Sequence, residues 1–304
     1  MRKFLLLLIL NGSVILGFSQ QDAQFSQYMF NPFVLNPAYA GCRQAFTALA
    51  IHRDQWIKIP GAPSTQTLSL NSPLSKNVGL GLQVFNDEIG PKNTIGYLGS
   101  YSYRIPLSKG KIAFGLRAGG LTYNFNWDKI EFKDPQDIYN YSNRTQTTIF
   151  NVDFGMFYHT KTFYTGLSIN HLGDAKRTTP AGIDGIENHL LMHLFYTLGN
   201  TFEISEKFAL QPALLLKFVE HAPVHVDMNL NLIINQRIWM GLSFRPGNAV
   251  VLLSQFLVTD KFRFGYSYDI GINRMRGFSA GSNEIYIGYD FNLRKARSLS
   301  PRYF

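Results

Sequence analysis

Cysteine, charge and long apolar runs are all scarce in this chain. Cys42 is the only cysteine among 304 residues, which excludes an internal disulfide and any cysteine-built metal cluster. Charged residues make up 16% of the chain, against about 25% in an ordinary soluble domain. Beyond the first twenty residues, no stretch approaches the roughly 18 consecutive apolar positions that a membrane-crossing helix requires. The chain is nevertheless rich in hydrophobic residues, at 45%, with 25 Phe, 16 Tyr and 26 Gly. Apolar content that is high but never continuous suits strands in which apolar and polar residues alternate. A barrel with lipid outside and a polar interior has that pattern.

The N-terminus sets the compartment. Arg2 and Lys3 precede the apolar run Phe4 to Leu10, and Val14-Ile15-Leu16 continues it before the small residues Gly17 and Ser19. Residues 1–19 read as a secretory signal peptide cleaved near Ser19 or Gln20. The interruption at Asn11-Gly12-Ser13 and the polar Gln20-Gln21-Asp22 argue against a permanent anchor. Ala40-Gly41-Cys42 superficially looks like a lipid-attachment box, but it lies far beyond the apolar run, behind polar and Pro-containing sequence.

The clearest strand runs from Val224 to Ile234. Val224, Val226, Met228, Leu230, Leu232 and Ile234 alternate with His225, Asp227, Asn229, Asn231 and Ile233. Period-two alternation over about ten residues is the pattern of a strand that crosses a bilayer with one face in lipid. Phe262, Phe264, Tyr266, Tyr268 and Ile270 repeat it opposite Arg263, Gly265, Ser267 and Asp269. Comparable rows predict about fourteen strands: 44–53, 64–72, 76–86, 94–105, 110–126, 148–159, 161–171, 189–202, 207–219, 223–235, 236–246, 248–258, 260–271 and 282–293.

The connections sort by parity. The even ones, such as His159-Thr160-Lys161, Asn235-Gln236-Arg237 and Thr259-Asp260-Lys261, are short, whereas the long ones, 127–147, 172–188 and 272–281, are all odd. Short periplasmic turns and long outer loops are the rule for outer-membrane barrels, and a soluble β-sandwich has no reason to sort its loops this way. Closure follows, because an open sheet edge in lipid strands backbone groups without partners. The sequence therefore predicts an all-β fold, a closed antiparallel transmembrane barrel spanning 44–293. About fourteen strands leave a lumen too wide for wall side chains alone to fill.

Residues 20–43 precede the barrel. They contain Gln24-Phe25-Ser26-Gln27-Tyr28-Met29-Phe30-Asn31-Pro32 and Asn36-Pro37-Ala38-Tyr39-Ala40-Gly41. Two Asn-Pro pairs break any helix, and the segment is too aromatic for a free tail. It is expected to pack into the periplasmic mouth as a partial plug, or else to order only against another protein. The tail, 294–304, carries Arg294, Lys295, Arg297 and Arg302 with no acid. It could meet an acidic partner or anionic lipid phosphates. No basic face with a recognised nucleic-acid motif is present.

These stretches resemble the PorP/SprF family of outer-membrane proteins of type IX secretion and gliding motility. The residues that carry the resemblance are Gln24-Phe25-Ser26-Gln27-Tyr28, Asn36-Pro37-Ala38-Tyr39-Ala40-Gly41, Arg53-Asp54-Gln55-Trp56, Phe114-Gly115-Leu116-Arg117-Ala118-Gly119, Trp239-Met240-Gly241-Leu242-Ser243-Phe244-Arg245, Gly265-Tyr266-Ser267-Tyr268-Asp269 and Gly281-Ser282-Asn283-Glu284-Ile285. They follow in order over nearly the whole mature chain. Cys42 departs from the family pattern, where a small residue such as Ser is expected, and loops 127–147 and 172–188 match nothing in it.

The resemblance implies a non-enzymatic outer-membrane component. It would help secrete or display a large cell-surface protein, such as a gliding adhesin, that bears a C-terminal secretion signal. Some members look like links to periplasmic parts of the secretion machine. Partner-binding candidates are Gln24, Phe25, Ser26, Gln27, Tyr28, Asn31, Pro32, Asn36, Pro37 and Tyr39 in the N-terminal segment, and Arg294, Lys295, Arg297 and Arg302 in the tail.

No catalytic or cofactor motif competes with this reading. Gly277-Phe278-Ser279-Ala280-Gly281 has Gly-x-Ser-x-Gly spacing, but it lies in the connection 272–281 and is followed by a predicted strand, not by the helix that a nucleophile elbow requires. His189 and His193, and likewise His221 and His225, would share a strand face about 13 Å apart, too far to hold a metal without further ligands. Asp134, Asp137, Asp184 and Glu187 fit no calcium-loop spacing. The alternative function is a porin-like solute channel, lined by inward Arg117, Asp153, Lys217, Arg245, Arg263 and Asp269.

Overall fold

The computed structural model describes residues 23–43, 45–131, 133, 145–173, 176–178, 187–220 and 222–291. The expected signal peptide and the basic tail lie outside them, as does much of the two longest loops. Among the described residues, fourteen antiparallel strands form one ring, with the two-residue strand Phe202–Glu203 paired beside Leu210 and Ala209. In chain order they are β1 Phe46–Asp54, β2 Ser64–Pro73, β3 Val78–Ile89, β4 Lys92–Pro106, β5 Lys111–Phe125, β6 Thr145–His159, β7 Phe163–Asn170, β8 His193–Asn200, β9 Phe208–Val219, β10 His225–Ile234, β11 Ile238–Arg245, β12 Ala249–Leu257, β13 Phe262–Gly271 and β14 Ser282–Phe291. Closure is made by the first and last strands, with Phe46 opposite Phe291 and Asp54 opposite Asn283. No strand in the ring lacks a neighbour, as the cost of unpaired backbone groups in lipid demands.

Alternation holds around the wall. On β10, Met228 and Leu230 are exposed, while Asp227, Asn229 and Asn231 are buried. On β13, Tyr266 and Ile270 face out and Arg263, Ser267 and Asp269 face in. The β10–β11 reversal is tight because Asn235 and Gln236 both adopt positive φ, 51° and 56°, the backbone of the hairpin turns whose twist matches paired strands.

Two sequence expectations need correction. The strand predicted over 189–202 begins only at His193. Glu187–His189 instead pairs with Lys176–Thr178 in a separate two-stranded hairpin beyond the β7–β8 end. His189 and His193 therefore do not share a strand, and the His193 ring meets His171 at 5.5 Å between centroids. The physical cause is at His171, whose φ of 63° and hydrogen bonds to Asp153 and Asn151 turn the chain out of β7 early.

Candidate functional site in the lumen

Residues 23–43 lie inside the ring. Each Asn-Pro pair opens a short 3-10 turn, Pro32–Val34 and Pro37–Tyr39, with the Asn36 carboxamide oxygen accepting the Ala38 N–H at 2.9 Å. Proline suits the first position of such a turn because its N–H would be unpaired there anyway. The turns roll the segment into a compact body with buried side chains all round, including Phe33, Tyr39 and Tyr28. Phe25, Met29, Phe30, Val34 and Leu35 join Leu49, Ile51, Phe195, Trp239, Val251, Leu253 and Tyr286 of the wall in one apolar cluster.

At the long-loop end the segment meets a group of buried charges. The Glu284 carboxylate accepts two consecutive main-chain N–H groups, from Ser26 at 2.7 Å and Gln27 at 2.9 Å. Arg53 donates to Asp269 at 2.7 Å, to the Ser26 hydroxyl at 2.9 Å and to Glu284 at 3.2 Å. The Ser26 hydroxyl donates to Asp269 at 2.8 Å. Arg245 bridges Asp227, at 2.6 Å, and Asp269, at 3.0 Å, and also reaches the Phe25 carbonyl. Ions this deeply buried are tolerable only when paired and hydrogen-bonded, and each of these is both.

Halfway down, Arg117 pairs with Asp153 at 2.6 Å and donates to the carbonyls of Phe33 and Val34 at 3.3 and 3.1 Å. The Ser168 hydroxyl donates to the Leu35 carbonyl at 2.8 Å. The Asn36 amide reaches between two strands to the carbonyls of Met156 and Leu167. At the short-turn end Ser102 donates to the Ala40 carbonyl at 2.7 Å, Arg104 donates to that of Gly41, and the Gly41 N–H donates to Asn71. Wall glycines make room. A Cβ at Gly79 would strike the Ala40 carbonyl, and one at Gly115 would strike the Ala38 N–H.

Sequence reasoning expected these residues at one mouth of the barrel. Their hydrogen bonds instead run the length of the lumen, from Glu284 near the long loops to Asn71 near the short turns. Of the predicted contact residues, Ser26, Gln27, Tyr28, Asn31, Pro37 and Tyr39 are buried against the wall, while Gln24 is half-buried with its amide 3.2 Å from a ring nitrogen of His225. Arg294, Lys295, Arg297 and Arg302 lie outside the described residues.

The wall partners Glu284, Arg53 and Asp227 were not singled out from sequence. One signal was available: charges of opposite sign on inward parity at matched positions of neighbouring strands, such as Arg117 opposite Asp153. Of the six residues expected to border a charged pore, Arg117, Asp153, Arg245 and Asp269 hold the segment or one another, Arg263 pairs with Asp290 at 3.1 Å, and the Lys217 ammonium lies over the Phe195 ring. Cys42 is buried, and burial pushes its thiol up to about 11.

A family model for the type IX secretion system membrane protein PorP/SprF matches residues 17–289. No curated protein sequence matches. Among solved structures, the CymD monoaromatic hydrocarbon channel aligns with a TM-score of 0.52 at 13% identity, over 90% of this chain and 95% of its own. The Acinetobacter baumannii outer membrane protein Omp33 aligns at 0.47 and 9% identity, over 82% of this chain and 100% of its own. At such identities the likeness to CymD bears on the barrel fold alone.

Proposed function

Because this chain belongs to the PorP/SprF family of type IX secretion system membrane proteins, and is thus a multi-pass outer-membrane barrel, we propose that it acts without catalysis to secrete or hold at the cell surface a large protein bearing a C-terminal secretion signal. The long loops, 127–147 and 172–188 among them, would face outward and grip that protein. The N-terminal segment would act as a plug that keeps the lumen shut. The basic residues Arg294, Lys295, Arg297 and Arg302 would meet periplasmic secretion components or lipid phosphates.

The observation that carries this reading is the bound state of the lumen. Glu284, Arg117, Ser102 and Arg104 all hold the main chain of residues 26–41, which favours a barrel that acts through its surfaces over one that conducts solutes. Crosslinking from the long outer loops in intact cells, followed by mass spectrometry, tests it. Capture of one large secreted surface protein is the expected result. Capture of lipid alone, together with steady open conductance of the purified protein in planar bilayers, would replace this reading with a solute channel.

A further inference from the structure

Many of the hydrogen bonds between the wall and its occupant run to that occupant's main chain, beside side-chain contacts from Gln24, Ser26, Asn31 and Asn36. The Glu284 carboxylate accepts the N–H groups of Ser26 and Gln27. Arg245, Arg117, Ser168, Ser102 and Arg104 donate to the carbonyls of Phe25, Phe33, Val34, Leu35, Ala40 and Gly41. Contacts of this kind do not depend on side-chain identity. Main-chain hydrogen bonds give affinity while pockets give selectivity, as when proteins bind extended peptides.

The fit of the segment's own side chains is incomplete. The Gln27 carboxamide oxygen is buried without a hydrogen-bond partner among the described residues, and an orphaned buried acceptor is destabilising.

Two cavities flank the start of the segment at the long-loop end. One is lined by Gln24, Arg53, Arg245, Asp269 and Arg276, the other by Phe25, Arg117, Asp153, His171 and Phe195. Both border side chains that hold the segment, Arg53 and Arg245 at the first and Arg117 at the second.

We propose that the lumen is a binding site for polypeptide main chain, occupied in cis by residues 25–41, into which a segment of the secreted partner exchanges from the long-loop end. The source of that partner rests on the function proposed above, whereas the recognition chemistry rests on the lumen alone. Exchange would begin at the Arg53–Asp269–Glu284 group and would release the resident segment as far as Cys42.

The test uses full-length protein in lipid nanodiscs and a synthetic peptide of residues 23–43, with Cys42→Ser, that carries a photo-crosslinker. At saturating peptide, Cys42 of the protein should react with maleimide at least about tenfold faster, and the crosslinks should map to β13 and β14. Methylating the probe's amide nitrogens at Ser26 and Gln27 should weaken retention by at least about tenfold, the equivalent of losing one hydrogen bond to a charged group. Replacing Met29 of the probe by Leu should change little.

Equal retention of the methylated probe would overturn main-chain recognition. Unchanged Cys42 labelling, or crosslinks confined to the outer loops, would overturn exchange. Failure here would leave the in-cell crosslinking result standing, and the converse holds too.

Discussion

The carboxylate of Glu284 on the last strand accepts the main-chain N–H of Ser26 at 2.7 Å, although 258 positions separate them in the chain. That bond ties the strand that closes the ring to the segment that fills it. Arg53, on the first strand, touches both residues. Ring closure and lumen filling therefore share the same side chains.

Replacing Glu284 should loosen both. Glu284→Ala leaves Arg53 with one fewer carboxylate and two buried N–H groups unpaired. Breaking a buried ion pair from one side costs about 3–5 kcal/mol. Glu284→Gln, which keeps an acceptor, should cost less. The temperature at which the folded band is lost on a gel should fall in the order native, Gln, Ala. Equal temperatures for all three would contradict the clamp.

Bulk at Gly115 should expel the segment without opening the ring. Gly115→Val places side-chain atoms where the Ala38 N–H and the Pro37 main chain lie, whereas the β4–β5 pairing around residue 115 needs no space there. The variant should still fold into lipid, and residues 23–43 should become sensitive to protease. Protection equal to that of the native chain would sink this prediction.

Cys42 should report on the segment. Its thiol is buried, with a pKa of about 11, and the thiolate is the reactive form. Maleimide labelling near pH 7.5 should be slower than in the unfolded chain by about two powers of ten, given an ordinary cysteine pKa of about 8.5. It should rise toward pH 11. Fast labelling of the native protein at neutral pH would contradict burial.

The outer face should reject charge. Leu230 and Leu242 lie opposite each other on β10 and β11 and are about half exposed, and lipid covers that exposure. Leu230→Arg should destabilise refolding into vesicles by about 2–4 kcal/mol if it lies near the bilayer midplane. A neutral outcome would place this face in water.

The ring was readable in sequence because lipid and lumen impose opposite demands on successive residues. Val226 through Ile234 on β10 declared both its faces without reference to any other strand. The strand end near residue 189 was not readable, because the turn at His171 depends on Asp153 and Asn151 from a neighbouring strand.

The lumen contents were half legible. Aromatic residues and two Asn-Pro pairs marked 24–39 as a packed segment. Parity placed Arg117, Asp153, Arg245 and Asp269 inside, but it reports only which face a residue occupies. That Glu284 would meet Ser26 depends on the whole ring closing, and no local pattern encodes it. The resemblance had already gathered Arg53, Asp269 and Glu284 into its matching stretches without saying what joined them.

Hydrogen–deuterium exchange on the full-length protein in lipid nanodiscs tests the central claim most directly. With residues 24–42 held inside a closed barrel, the amides of Ser26, Gln27 and Gly41 should be protected to the same degree as those of β13 and β14. Exchange of those amides within seconds, at the rate of an unstructured peptide, while the strands stay protected, would contradict it.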